Sequence, residues 1–515
     1  MKREAEDWIQ LCYDPRFAQR CGEKLTKLFA EHLERLQTKE KNVQDWVTPG
    51  ANVAHASKFF VKSSFNGSET QQSLTDLSGH CLAKFAELVA LCLEKSQGLH
   101  HPLCAGHQVP AVPPLAAWFD ALTSLTNQVQ GVYEMGPWSV SVERAMLNAV
   151  GEEIGFTAGE FGSLVTSGGS LANLTALLAA RKSRFPEVWR QGFSGLNAAP
   201  VVVVHQDAHY CIDRSVGVMG IGTEHLVRVP VDEQRRMKVP CLEEILLDLK
   251  RRKVPVLAVV SVAGSTACGA FDSLRDVSRV CRKFDVWLHV DAAHGGGLKF
   301  SKRYKDRVDG LELADSVVVD AHKMLFVPAV CALLFFKDPS HQFIAFDQEA
   351  PYLFDPSEPS LASYDNAVVT LECTKRASAI GMWGVWSIFG PQFFEAMIDR
   401  VLEIARQFYL MLNDTEGIEV WGEPSCNIVL FRCIVDQGSS GGFSDGNDFQ
   451  LLIRRRLLET GVGYLTQTKL NDKIYLRATI MNPMIIQEDL LQMLHEVRCA
   501  ATAVAANQKL GDPLM

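Results

Sequence analysis

The chain has no apolar stretch approaching the ~18 residues of a membrane-spanning helix, so its 47% hydrophobic content is expected to build a core rather than a membrane anchor. It has no excess of basic residues. Lysine and arginine total 51 against 60 aspartates and glutamates, and the net charge of −9 argues against nucleic acid or an anionic membrane as the main partner. Its 14 cysteines form no C-x-x-C pair and no Cys/His metal spacing, so no metal is expected and the thiols read as reduced core filler. The opening run Met1-Lys2-Arg3-Glu4-Ala5-Glu6-Asp7 is charged and leads into no apolar segment of a secretory signal, so a cytoplasmic location is expected. There is no internal repeat.

What is present is an ordinary globular composition: 22% charged residues and a mean hydropathy of +0.03. At 515 residues, more than one domain is expected. Residues 1 to about 48 carry helical periodicity with many charges (Leu25, Leu28, Phe29, Leu33, Leu36), and Leu74 to Leu93 reads as a further amphipathic helix. The turn-rich segment from His101-Pro102 to Pro113-Pro114 opens the next region. Beyond it, short apolar runs alternate with helical ones. Strands are predicted at Leu164 to Thr166, Val201 to His205, Val254 to Ser261, Val286 to Val290, Ser316 to Val319 and Cys331 to Phe336. Helices are predicted at Leu171 to Arg184, Leu242 to Lys250 and Leu274 to Phe284. Such alternation predicts an α/β fold with a mostly parallel sheet covered on both faces. The expected organisation is an N-terminal helical segment (1–100), a large domain (101–389) and a small C-terminal α/β domain (390–515). Within the last, Gly438-Ser439-Ser440-Gly441-Gly442 reads as a flexible insertion.

Four pieces carry chemistry. Thr166-Ser167-Gly168-Gly169-Ser170 ends a strand and opens a helix, where close backbone approach and free N–H groups suit a phosphate. Taken alone, such a turn is as well explained as a helix cap. His209, just past the Val201 strand, could stack on an aromatic ring or relay a proton, or be structural. Asp291 ends a buried strand in His289-Val290-Asp291-Ala292-Ala293, and Lys323 follows another in Asp320-Ala321-His322-Lys323. Both therefore fall at the carboxyl ends of strands, where open α/β sheets bind ligands. Pyridoxal phosphate needs a lysine amine for its Schiff base and an anion to keep its pyridine nitrogen protonated. Burial and cationic neighbours are expected to lower the pKa of Lys323 and free its amine.

The pieces together resemble a known family. Ser167 to Asn173, Ala263-Gly264-Ser265-Thr266 with Gly269-Ala270-Phe271-Asp272, His289 to Ala293, His322-Lys323-Met324-Leu325, Thr370-Leu371 to Lys375-Arg376, and Trp383 are similar to the group II pyridoxal-phosphate-dependent amino-acid decarboxylases. That family includes the glutamate, cysteine-sulfinate and aromatic amino-acid decarboxylases, and the likeness runs from His101 to about Pro483. The resemblance implies the aspartate-aminotransferase type of fold (fold type I) and a homodimer with its active site at the subunit interface. It implies Lys323 as the Schiff-base lysine, Asp291 on the pyridine nitrogen, Ala293 against one ring face and His209 against the other. Gly168, Gly169 and Ser170 would hold the phosphate with His322 nearby, and Thr266 would lie near the cofactor. Tyr352 matches a loop tyrosine that protonates the carbon after carbon dioxide leaves, and Arg477 an arginine that contacts the substrate carboxylate.

Two departures stand out. Asp320-Ala321 replaces the Asn-Pro common before His-Lys, and His107 stands where the glutamate enzymes carry a substrate-reading glutamine. The expected reaction is decarboxylation of an L-amino acid at its α-carbon. Arg477, Met324-Leu325 and Phe185-Pro186-Glu187-Val188 lean toward an acidic substrate: glutamate, aspartate or cysteine sulfinate. 2,4-Diaminobutyrate and aromatic amino acids stay open. So do an aldehyde-releasing lyase or transaminase, and a catalytically silent binding protein, on the same fold.

Overall fold

The computed structural model describes residues 2–60, 74–346, 363–434 and 446–509; Tyr352 and the Gly438–Gly442 stretch lie outside them. The chain divides into two compact units that interleave in sequence. The larger comprises His107–Arg432 and Thr468–Pro483, the smaller Met1–Gly106, Cys433–Gln467 and Met484–Met515.

The larger unit is built on seven strands: β1 (Gly162–Thr166), β2 (Val201–His205), β3 (Leu226–Val229), β4 (Val256–Val262), β5 (Trp287–Asp291), β6 (Ser316–Asp320) and β7 (Ala332–Phe336). Their spatial order is β1-β7-β6-β5-β4-β2-β3. Every neighbouring pair is parallel except those that β7 makes with β1 and β6. The connection from β6 to β7 contains no helix. A parallel return needs a long crossover, so this short link brings β7 back antiparallel.

The apolar runs read from the sequence are these strands, and they are buried on both faces, as parallel strands flanked by helices must be. Val202, Val203, Val204, Val259 and Val260 expose 1% or less, each worth about 1.5–3 kcal/mol of burial. The unpredicted β3 is the edge strand. It has four residues, and Arg228 points to solvent, so it lacks the continuous apolar run of its neighbours. A helix at Pro137–Ile154 was also not anticipated, because its buried face mixes Val140, Met146, Leu147 and Val150 with Ser139, Glu143 and Gly151.

The helix α1 (Gly169–Arg184) lies on the sheet through Ala172, Ala176, Ala179 and Ala180, all fully buried. Small side chains allow this close approach and set where the helix begins relative to the strand ends. Helix α2 (Leu274–Phe284) turns Leu274, Val277, Val280 and Cys281 inward and keeps Arg275, Arg279 and Lys283 outside.

In the smaller unit, the helices Pro15–Gln37 and Leu74–Lys95 pack together, as do Gly446–Thr460 and Gln487–Lys509. Cys104 and Ala105 pair in parallel with Tyr464 and Leu465. The Val43 N–H donates to the Gly461 carbonyl at 2.9 Å, tying the segment after the first long helix to this layer. Among the described residues, no helix is long and apolar enough to cross a membrane.

Candidate active site

Five loops leave the carboxyl edge of the sheet, after β1, β2, β4, β5 and β6, and they converge on one cavity of about 310 Å³. Pockets of about 300–1,000 Å³ commonly take small ligands. Gly168, Gly169, Ser170, His209, Thr266, Asp291, Ala293, His322 and Lys323, all singled out from sequence, line it together.

The wall after β1 is shaped for an anion. Gly168 sits at φ +105°, a conformation that favours glycine, and α1 begins at the next residue. The first backbone N–H groups of a helix have no intrahelical acceptor and carry its positive dipole end. At Gly169 a Cβ would stand 2.7 Å from Asp320 Oδ1, so any side chain there would push the Asp320 carboxylate aside.

A hydrogen-bond chain fixes the turn to the sheet. Trp287 Nε1 donates to Ser316 Oγ at 2.9 Å, and Ser316 Oγ lies 2.8 Å from His289 Nδ1. His289 Nε2 lies 2.8 Å from Asn173 Oδ1, and Asn173 Nδ2 donates to the Gly169 carbonyl at 2.8 Å. Because Asn173 donates through Nδ2, its Oδ1 is the acceptor, and His289 Nε2–H donates to it. The imidazole is neutral; burial holds its pKa down to about 4.

Asp291 and Lys323 come from neighbouring strands: Asp291 pairs in register with Val318 of β6, three residues of strand and loop short of the lysine's loop. The Ala293 N–H donates to Asp291 Oδ1 at 3.1 Å and aims the carboxylate along the cavity. Lys323 Nζ lies 2.8 Å from Asp320 Oδ2. This corrects the sequence expectation for the lysine. Burial pulls its pKa down, but Asp320, by charge and hydrogen bond, and then Asp291 more than offset that, so the amine is held protonated. The decisive neighbours are anions, not cations.

His209 follows β2 and its ring lies 4.2 Å from that of Tyr210. Burial pushes its pKa down, with Asp291 opposing. His322 Nδ1 lies 2.8 Å from the Cys331 carbonyl, which directs Nε2 toward Asp320 at 3.7 Å. The loops on this side are braced by Asp272, which accepts from Ser261 Oγ at 2.7 Å and from the N–H groups of Val262 and Met237 at 2.9 and 2.7 Å.

His107 and Arg477 do not border the cavity. His107 is exposed. Arg477 is buried on the strand Lys473–Thr479, its Nε 3.3 Å from Thr479 Oγ1. Two titratable lining residues were given no role from the sequence. Cys211 is two positions past His209, and His294 continues the Asp291-Ala292-Ala293 run. His294 Nε2 lies 2.7 Å from Asn427 Oδ1, while Asn427 Nδ2 donates to the Ile480 carbonyl at 2.8 Å. The imidazole thus donates through Nε2. Its buried Nδ1 has no hydrogen-bond partner among the described residues. Burial first, then Lys323, push its pKa down to about 3.

A glycine-lined helix start for a dianion, together with a carboxylate and a lysine from adjacent strand ends on the same cavity, fits pyridoxal phosphate. The fold and the site thus define a pyridoxal-phosphate enzyme. The model of the pyridoxal-dependent decarboxylase conserved domain matches residues 75–434, and the chain belongs to that family. L-2,4-Diaminobutyrate decarboxylase of Rhizobium meliloti (strain 1021) is 32% identical over 438 residues, spanning 84% of this chain and 85% of that protein. L-2,4-Diaminobutyrate decarboxylase of Acinetobacter baumannii is 28% identical over 433 residues, spanning 81% and 83%. Among solved structures, mouse CSAD superposes with a TM-score of 0.84 at 22% identity, over 95% of this chain and 99% of that one. The family, the fold, the cofactor and the carboxy-lyase class expected from the sequence are borne out.

Proposed function

We propose that this pyridoxal-phosphate-dependent amino-acid decarboxylase acts on L-2,4-diaminobutyrate, releasing carbon dioxide and 1,3-diaminopropane. The observation that carries this reading is the polar make-up of the cavity wall. Asp291 and Asp320 are its carboxylates, His294 adds a neutral acceptor, and no arginine stands among the described lining residues. With Asp291 engaged by the pyridine nitrogen and Asp320 by Lys323, the unpartnered His294 Nδ1 is the acceptor left for a second ammonium, whereas a second carboxylate finds no arginine among the described lining residues to pair with. The names of the two bacterial relatives point the same way. The acidic substrate favoured by the sequence has weaker support, because Arg477 and His107, which suggested it, do not border the cavity.

In this reading Gly168, Gly169 and Ser170 hold the phosphate at the start of α1, with His322 and Thr266 beside it. Asp291 neutralises the pyridine nitrogen, and Ala293 and His209 enclose the ring. Lys323 makes the covalent attachment. Bound pyridoxal phosphate supplies the electron sink that lets the Cα–carboxylate bond break. The protein's part is to orient that bond and keep water out. Tyr352 is the proposed proton donor to the α-carbon, and a homodimer the proposed assembly; both come from the family resemblance, and Tyr352 lies outside the described residues.

The test is carbon dioxide release across diaminobutyrate, glutamate, aspartate, cysteine sulfinate and the aromatic amino acids, with Lys323→Ala as control. Diaminobutyrate should exceed every acidic substrate in kcat/KM by about 100-fold or more, the scale of one matched against one mismatched buried charge. Comparable or faster turnover of an acidic amino acid would sink the assignment.

A further inference from the structure

Lys323 must lose a proton before its nitrogen can bond to a carbonyl, since only the neutral amine is nucleophilic. The site nevertheless holds the proton on it. Nζ is 2.8 Å from Asp320 Oδ2, a hydrogen-bond distance across which a proton can pass. Asp320 is 3% exposed, and Oδ1 is buried without a hydrogen-bond partner among the described residues. The carboxylate therefore has little solvent or protein to stabilise its charge besides the lysine. Such a pair can relocate one proton internally more readily than it can give it to water.

We propose that Asp320 is the proton partner of Lys323, accepting the proton from Nζ when the lysine bonds to an aldehyde and keeping it on the ammonium when the lysine is free. The step balances within the pair. The proton moves from Nζ to Oδ2, and the freed lone pair forms the C–N bond. Asp320 then returns the proton toward the carbonyl oxygen, which takes a second one from the nitrogen and leaves as water. No oxidant or further reactant is needed. The same exchange in reverse releases the lysine.

The groups around the pair leave Asp320 as the partner in contact. His322 Nε2 is 3.7 Å from Asp320, its other nitrogen engaged at the Cys331 carbonyl. From the loop after β2, His209 and Cys211 act on the pair through charge, and Asp291 and His294 act on Lys323 from the end of β5. Cys331 faces Asp320 from the start of β7. At Gly169 the backbone comes close enough that any side chain would displace the carboxylate.

The inference rests on Lys323 being the attachment lysine, and the experiment separates the two. Apoprotein is mixed with pyridoxal 5'-phosphate, and the visible absorbance of the lysine-bound form is followed by stopped flow. Wild type, Asp320→Asn, Asp320→Glu and Lys323→Ala are compared between about pH 6.5 and 8.5. The ion pair and the neutral pair contain the same number of protons, so the wild-type rate should be nearly flat. In Asp320→Asn any proton on the amine must leave to solvent, so the rate should rise by up to about tenfold per pH unit below the variant amine's pKa, which burial lowers once the anion is gone, and level off above it. Asp320→Glu should restore a flat profile at lower rate. Pyridoxamine phosphate, which has no aldehyde, should bind Asp320→Asn within about threefold of wild type, as expected if the phosphate cradle is undisturbed. A steep wild-type profile overturns the proposal without any variant. Parallel profiles in wild type and Asp320→Asn overturn it too, as does loss of pyridoxamine phosphate affinity with an unchanged slope. Retention of the absorbance in Lys323→Ala would instead refute the lysine assignment.

Discussion

Among the lysine–carboxylate pairs of the larger unit, Lys375–Glu143 and Lys323–Asp320 place their ammonium groups in different surroundings. Lys375 Nζ donates to Glu143 at 2.6 Å and to the Val165 carbonyl at 2.7 Å, with both charged side chains 2% exposed. It borders a cleft of only about 100 Å³. Lys323 is matched to Asp320 at 2.8 Å, yet its side chain keeps 20% exposure on a cavity three times that size. Both lysines stand in segments that resemble one enzyme family, Lys375 buried and Lys323 half-buried. The difference teaches that burial alone does not make a lysine reactive. An ammonium enclosed by two acceptors can only hold structure, whereas one with spare donors beside open volume can exchange its proton for a covalent bond.

Replacing each lysine should separate these roles. Lys323→Ala should lower decarboxylation by on the order of 10³-fold or more while leaving the protein folded, as expected for loss of a covalent group. Retained turnover in that variant, after removal of bound cofactor from the wild-type control, would erase the contrast. Asp291→Asn should come next, at about 10²- to 10³-fold in kcat, because it removes a fixed charge aimed at the reacting system. Steady-state kinetics at saturating cofactor reads both.

Lys375→Met should act on stability instead, costing about 3–5 kcal/mol in urea unfolding because Glu143 is left charged and buried. The double change Lys375→Met with Glu143→Leu should recover most of that loss. If the single change were harmless to folding but abolished activity, Lys375 would belong to the chemistry and the comparison would collapse.

The sequence spoke most clearly where chemistry and strand ends coincide. Lys323 and Asp291 each follow a buried apolar run, and Gly168-Gly169 sits between a strand and a helix, so local pattern was enough to bring them to one edge of the sheet. What stayed hidden depends on distant partners. His289 meets Asn173 across 116 positions and His294 meets Asn427 across 133, separations that no spacing rule anticipates. Asp320 was visible only as a departure from the family pattern, because its importance lies in which way Lys323 folds back. The expected pKa of Lys323 went astray for the same reason: residue type told that neighbours exist, but only geometry told their sign. The edge strand β3 escaped because a half-exposed strand lacks the continuous hydrophobicity of its buried neighbours.

The smallest expected effect concerns the frame that holds the Lys323 side of the comparison in place. His289 is neutral in the folded protein, its pKa pulled down to about 4 by burial, whereas in the unfolded chain it returns to about 6.5. As pH falls below about 6.5 the unfolded state takes up a proton that the folded state refuses, so stability is full above that pH and declines toward about 4. The slope per such histidine is at most about 1.4 kcal/mol per pH unit. His294, held down to about 3, adds a second contribution of the same sign. Urea unfolding at a series of pH values should show this decline, and His289→Gln should remove one proton's worth of the slope. An unchanged slope in that variant would mean that the acid sensitivity of the fold lies elsewhere. The cradle beside Asp320 would then not depend on a neutral imidazole for its position.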